Sequence, residues 1–159
     1  MALHDIHDID ALRAFIGKEV ATAWQPITQA SIDQFAAATN DHQWIHVDVL
    51  RAQRESPFGA PIAHGFLSLS MMAPMLYEAF DLDALGMGVN YGFNRLRFVA
   101  PVKAGTRVRG RFTLISLEAL APAGTQGVGV QMVWNATVER EAEDRPALVA
   151  EWITRRYAA

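Results

Sequence analysis

Residues 65–80 carry apolar side chains nearly all the way round a helical projection, with Phe66, Leu67, Leu69, Met71, Met72, Met75 and Leu76 leaving little polar face. A helix of that kind must lie inside something. Pro74 predicts a kink or local break within it. The C-terminal half of the chain supplies the wrapping. From about residue 87 the pattern changes to period two: Leu96 and Phe98, then Val108, Phe112 and Leu114, then Val128 to Val138, then a last strand over about 147–157. Turn residues separate these runs, among them Pro101, Gly105, Pro122, Gly124 and Pro146. Four long antiparallel strands after one enclosed helix predict an α+β chain with a sheet wrapped around a long central helix.

The first half of the chain is read less directly. Residues 1–16 form an N-terminal arm with a short helix, and 17–26 look like a strand entering the fold. Thr28 is placed to cap a helix over 29–39 that stops at Asn40, and Asp48 to cap a second one reaching about Arg54. Ser56 to Pro61 reads as a loop. No repeat or linker interrupts the 159 residues, so a single domain over 1–159 is expected.

Composition narrows the chemistry. There is no cysteine, which removes thiolate nucleophiles, thiolate metal sites and disulfides. A formal net charge of −3 argues against nucleic acid as the main partner. The N-terminus has no basic, apolar leader pattern, and the most apolar window is too short to span a bilayer, so a cytoplasmic protein without a membrane partner is expected.

The chemically informative stretches are 35–46, Phe-Ala-Ala-Ala-Thr-Asn-Asp-His-Gln-Trp-Ile-His, and 63–66, Ala-His-Gly-Phe. Asp41 and His46 lie five apart across an apolar Trp-Ile pair that can pin the loop. A carboxyl and an imidazole held together can work one water by general acid–base exchange. Gly65 opens the central helix, where free N–H groups favour developing negative charge and the missing Cβ allows close approach.

These stretches resemble the signature of the MaoC-like dehydratases, the (R)-specific type-2 enoyl-CoA hydratases of hotdog fold, and especially the branch related to nodulation protein N. The similarity rests on Asp-His-Gln-Trp-Ile-His-Val-Asp at 41–48, Ile-Ala-His-Gly-Phe at 62–66, Asn90-Tyr91-Gly92, Arg95, Arg97-Phe98 and Pro101-Val102. The resemblance implies a single hotdog domain, a homodimer, and reversible addition of water to a 2-enoyl thioester. Neither metal nor redox cofactor is implied; coenzyme A enters only as part of the substrate. It further implies that Asp41 and His46 are the catalytic pair and that the Gly65 N–H binds the thioester oxygen. His64, Gln43, Trp44 and Asn90 are expected around the substrate. Gln43-Trp44 stands where Asn-Pro is more usual in the family, which leaves acyl-chain length open.

Plainer readings stand beside these. His42 and His46 could bind zinc at helical spacing, yet the glutamate of a His-Glu-x-x-His motif is missing. His64 reads as a structural hydrogen-bonding histidine before it reads as a proton carrier. Met71, Met72 and Met75 read as core, and Asn90 and Tyr91 equally as strand packing. Arg107, Arg109 and Arg111 could meet coenzyme A phosphates, but a solvated face opposite Glu139, Glu141 and Glu143 is preferred. Gly127-Val128-Gly129 lacks dinucleotide-binding spacing. A hotdog thioesterase and a non-catalytic thioester-binding subunit are the rival functions.

Overall fold

The long strands do most of the architectural work. In the computed structural model, which describes residues 2–122 and 128–158, they are β5 (Met87–Phe98), β6 (Arg107–Leu120), β7 (Gly129–Arg140) and β8 (Leu148–Tyr157). With β2 (Glu19–Ala21) they form an antiparallel sheet in the order β2-β6-β7-β8-β5, and β3 (Gln25–Pro26) also pairs with β6. Gly124 and Gly127 lie outside the described residues.

Period-two patterning fixes which face turns inward. Phe112 and Leu114 of β6, Met132, Trp134 and Val138 of β7, and Leu148 of β8 are all fully enclosed. Trp134 also satisfies its indole N–H, donating to Thr154 Oγ1 at 3.0 Å. The inward face packs against α6 (Met72–Ala79), whose Met72, Met75, Leu76 and Ala79 are buried. Gly110 permits the closest approach, since a Cβ there would sit 2.6 Å from the Phe112 ring and 3.0 Å from Met75 Cβ.

The central helix is broken, as Pro74 leads one to expect. It is α5 (Gly65–Ser70) and α6, separated at Met71. Pro74 falls in the first turn of α6, where the absence of its N–H costs little, so the break precedes the proline. The helix is not enclosed on every side. Phe66 is 66% exposed and Tyr77 50%, because the sheet curls round one face of the helix and leaves the other without a partner strand.

The N-terminal residues are not a detached arm. β1 (His4–Asp5) pairs in parallel with β4 (Phe80–Asp81), and α1 (Ile9–Arg13) follows β1 along the chain. Ile6 and Leu12 are buried, while Phe15 meets Phe80 edge-on at 5.3 Å. The strand expected at 17–26 is split into β2 and β3. Between them the chain bends: Gly110 N–H donates to Thr22 Oγ1 at 3.0 Å, and Ala23 N–H donates to Glu78 Oε1 at 2.7 Å.

Two caps occur as expected. α2 (Gln29–Thr39) begins where Thr28 Oγ1 accepts from Ser31 N–H at 3.1 Å, and ends on Asn40 in the left-handed region, φ 58°. α4 (Val49–Glu55) begins where Asp48 accepts from Arg51 N–H at 3.0 Å. Between them lies a single turn, α3 (Trp44–Val47), which periodicity is too short to reveal. No helix among the described residues is long and apolar enough to cross a membrane.

Candidate active site

Asn40 turns the chain sharply at the end of α2 and delivers Asp41 to the surface, its side chain 54% exposed. Five residues on, α3 carries His46 inward to 7% exposure. Two bonds hold that turn. Gln29 Nε2 donates to the His46 carbonyl at 2.8 Å, and Ile62 N–H donates to the Ile45 carbonyl at 3.0 Å. The imidazole is itself oriented: Nδ1 lies 2.7 Å from the Ile62 carbonyl. A carbonyl only accepts, so Nδ1 carries the proton and Nε2 keeps a bare lone pair. That is the tautomer a base requires.

Burial pushes the His46 imidazole below its usual value, the bond to Ile62 pulls it back up, neighbouring His64 lowers it and Asp41 raises it. The net direction is down, toward the neutral form.

His64 lies behind this pair, 2% exposed. Its Nε2 is 2.9 Å from the Asp41 main-chain carbonyl and 3.9 Å from the Asp41 carboxylate. It therefore donates from Nε2 and anchors the Asp41 backbone, while its buried Nδ1 has no partner among the described residues. The His64 ring stacks on His46 at 3.8 Å with 27° between planes. Nitrogen and oxygen atoms of Asp41, His46 and His64 lie within 4.8 Å of one another. Near-parallel rings direct their in-plane lone pairs side by side, and His64 Nε2 is already committed to a carbonyl. The cluster suits one hydrogen-bonded water better than a tetrahedral metal with bonds of about 2.0–2.1 Å. His42 is exposed and takes no part.

A cleft of about 390 Å³ opens beside His46, bounded by Gly65, Phe66 and Ser68 of α5 and by the segment 98–102. The Leu67 and Ser68 N–H groups both return to the His64 carbonyl, at 3.1 and 3.3 Å. The Gly65 and Phe66 N–H groups meet no backbone acceptor among the described residues, as the first amides of a helix do not. The glycine has a further reason. A Cβ at residue 65 would come within 3.1–3.3 Å of the Phe98 ring, so the bare Cα is what lets Phe98 close the cleft.

The other expected site residues fall differently. Gln43 is exposed; its N–H reaches Asp41 Oδ1 only at 3.4 Å, and its carbonyl accepts from His46 N–H at 2.9 Å. Trp44 is not among the residues lining the cleft, and Arg51 stacks over its ring at 4.3 Å. Asn90 sits exposed on β5 opposite Thr154, beside a bulge, and does not line this cleft within the single protomer. The arginine ladder is neutralised by carboxylates, as expected of a solvated face. Arg107 pairs with Glu141 at 3.0 Å, Arg109 with Glu139 at 2.6 Å, and Arg111 with Glu19 and Glu139; Glu143 instead faces Arg140 at 3.7 Å. Sequence reasoning missed Ser68, and in the 98–102 wall it missed Val99 and Ala100. Phe98 and the Pro101-Val102 pair of the motif pointed there.

Comparison with known proteins gives a consistent set. The family model described as a MaoC like domain matches residues 12–130. Nodulation protein N of Rhizobium meliloti is 44% identical, over 95% of this chain and 91% of that protein. The 3-hydroxyacyl-thioester dehydratase Z of Mycobacterium tuberculosis is 43% identical, over 92% of this chain and 94% of its own length. Among solved structures, an R-hydratase from Pseudomonas aeruginosa superimposes with a TM-score of 0.66 at 20% identity, covering 91% of this chain and 86% of that one. At that identity the likeness speaks for a hotdog fold alone.

Proposed function

The chain belongs to the MaoC-like dehydratase family, and on that premise we propose that it is a hydro-lyase that reversibly adds water to a 2-enoyl thioester, giving an (R)-3-hydroxyacyl thioester. The thioester class comes from the name of the mycobacterial relative. The observation that carries the chemistry is His46, its Nδ1 tied to the Ile62 carbonyl, lining the cleft that Gly65 also borders, with a ring nitrogen within 4.8 Å of the Asp41 carboxyl group.

In the hydration direction, a water held between Asp41 and His46 gives a proton to His46 Nε2 as its oxygen bonds to C3. The π electrons move through C2 onto the thioester oxygen, where the Gly65 N–H stabilises the enolate-like charge. A proton then returns to C2 from the Asp41 carboxyl, and His46 passes its own back to complete the cycle. Dehydration runs the same steps in reverse. Proton movements and hydrogen bonds supply everything this sequence needs, so coenzyme A takes part only as the carrier of the acyl group, and no metal or redox group is called for.

We propose a homodimer as well. Among the described residues β5 pairs with β8 alone, and this edge strand exposes Met87, Val89, Tyr91 and Phe93 by 64, 41, 56 and 39%. An edge so apolar is covered in stable proteins, and a second copy of the same edge fits it. A solution mass of one protomer at micromolar concentration would remove this part of the reading.

The functional test is to supply a crotonyl thioester and follow the conjugated double bond and free thiol together. Loss of the double bond without thiol release is expected; thiol release with the double bond intact would make the protein a thioesterase. The pH dependence has a defined sign. His46 has a depressed value, so its neutral form persists below the ordinary imidazole value of about 6.5. Hydration should hold its rate as pH falls to that point and decline only below it. The same shift favours the fold above about 6.5, and that contribution is lost as pH falls through the depressed value, because the unfolded chain takes the proton first.

A further inference from the structure

Ser68 is the second polar side chain, with His46, on an otherwise apolar cleft, and it is 3% exposed. A helical serine normally returns its hydroxyl to the carbonyl four residues back. Ser70 does so, donating to Phe66 O at 2.8 Å, and Thr39 does so to Phe35 O at 2.8 Å. Ser68 does not. The carbonyl four residues back is that of His64, which already accepts from the Leu67 and Ser68 N–H groups. Among the described residues the Ser68 hydroxyl has no hydrogen-bond partner, yet its oxygen is not sealed off as Gln29 Oε1 and His64 Nδ1 are. The space it retains is the cleft.

Burying a hydroxyl without a partner is unfavourable, and an apolar residue of similar size would fill the position at less cost. An unpaired polar group held at such a place awaits something that enters the cleft. Ser68 follows Gly65 by three residues, so both lie on one face of α5, with a rise of about 4.5 Å between them. Gly65, Ser68 and His46 line one cleft, so a substrate whose thioester oxygen meets the Gly65 amide extends within reach of both side chains.

We propose that the Ser68 hydroxyl contacts the substrate, hydrogen-bonding the oxygen at C3, which is the added water in one direction and the departing hydroxyl in the other. The inference rests on the hydro-lyase reading and assigns one more contact within the same cleft. Ser68 thereby discriminates between acyl groups that carry oxygen at C3 and those that do not.

The test is Ser68→Ala, measured three ways. Calorimetric binding should show the 3-hydroxybutyryl thioester weakened about 10-fold, with the butyryl thioester, which lacks the C3 oxygen, bound as by the parent protein. Turnover of the crotonyl thioester should fall by about 10-fold, chiefly in kcat. The melting temperature should stay level or rise by about 2–4 °C, since an unpaired buried hydroxyl has been removed. Ser68→Thr, which restores the hydroxyl, should recover the 3-hydroxybutyryl preference. Equal weakening of both ligands, unchanged binding of both, or loss of the fold in Ser68→Ala would each overturn the proposal. A parent protein inactive on enoyl thioesters would instead overturn the hydro-lyase reading itself, so the two failures are distinct.

Discussion

His46→Gln is expected to slow hydration of a crotonyl thioester by about 10²–10⁴-fold while leaving the protein folded. Glutamine can still donate an N–H toward the Ile62 carbonyl that now orients the ring at 2.7 Å, so the buried acceptor need not be orphaned. What it cannot do is accept a proton from water near neutral pH. Asp41→Asn should cost a similar factor for a different reason. The main-chain carbonyl of residue 41 stays bonded to His64 at 2.9 Å, so the loop keeps its place while the side chain loses its exchangeable carboxyl proton. Such factors correspond to about 3–5 kcal/mol of transition-state stabilisation. The double variant should be little slower than the worse single one, because the two groups act on one water. Circular dichroism and a melting curve check the fold, and initial rates check the chemistry. Near-parental turnover in both folded single variants would end the assignment.

Gly65→Ala is expected to lower kcat/KM by about 10–10²-fold, although alanine keeps the amide proposed to hold the thioester oxygen. The added Cβ would stand 3.1–3.3 Å from three atoms of the Phe98 ring, closer than ordinary contact. Either the ring swings into the cleft or the start of α5 shifts, and a displacement of the order of 1 Å at a positioning group can cost about 10²-fold. Phe98 is 47% exposed, so the ring has room to yield and stability should change little. A second substitution, Phe98→Leu, should restore part of the lost rate by removing the obstruction. Parental kcat/KM in Gly65→Ala would show that neither the ring nor the amide needs its present place.

Much of this was legible in the sequence because the signals were local. Thr28 and Asp48 act through bonds to residues three away, Asn40 through its own left-handed backbone, and the inward face of β7 is written as Met132, Trp134, Ala136 and Val138. The site was legible through a motif: Asp41, His46, His64 and Gly65 lie close in sequence and the fold brings them together. What the sequence left hidden depends on distant segments meeting. Whether Asn90 reaches the cleft is decided by where β5 lies in the sheet, and β5 carries it toward Thr154. Ser68 is an ordinary helical serine until segment 98–102 is laid against α5. The N-terminal residues looked like an appendage because their partners, Phe80 and Asp81, come some 75 positions later in the pairing of His4 with Phe80. The break at Met71, by contrast, was legible, since Pro74 has no N–H to give the Ser70 carbonyl four residues back.

One mass spectrum addresses the proposal that the carboxylate and imidazole act together on a single solvent molecule. The crotonyl thioester is incubated with the protein in water enriched in ¹⁸O and deuterium, and the acyl product is fragmented. The account predicts one ¹⁸O at C3, one deuterium at C2 and an unlabelled thioester carbonyl. Label confined to a liberated carboxylate, or no label in any product, would contradict it.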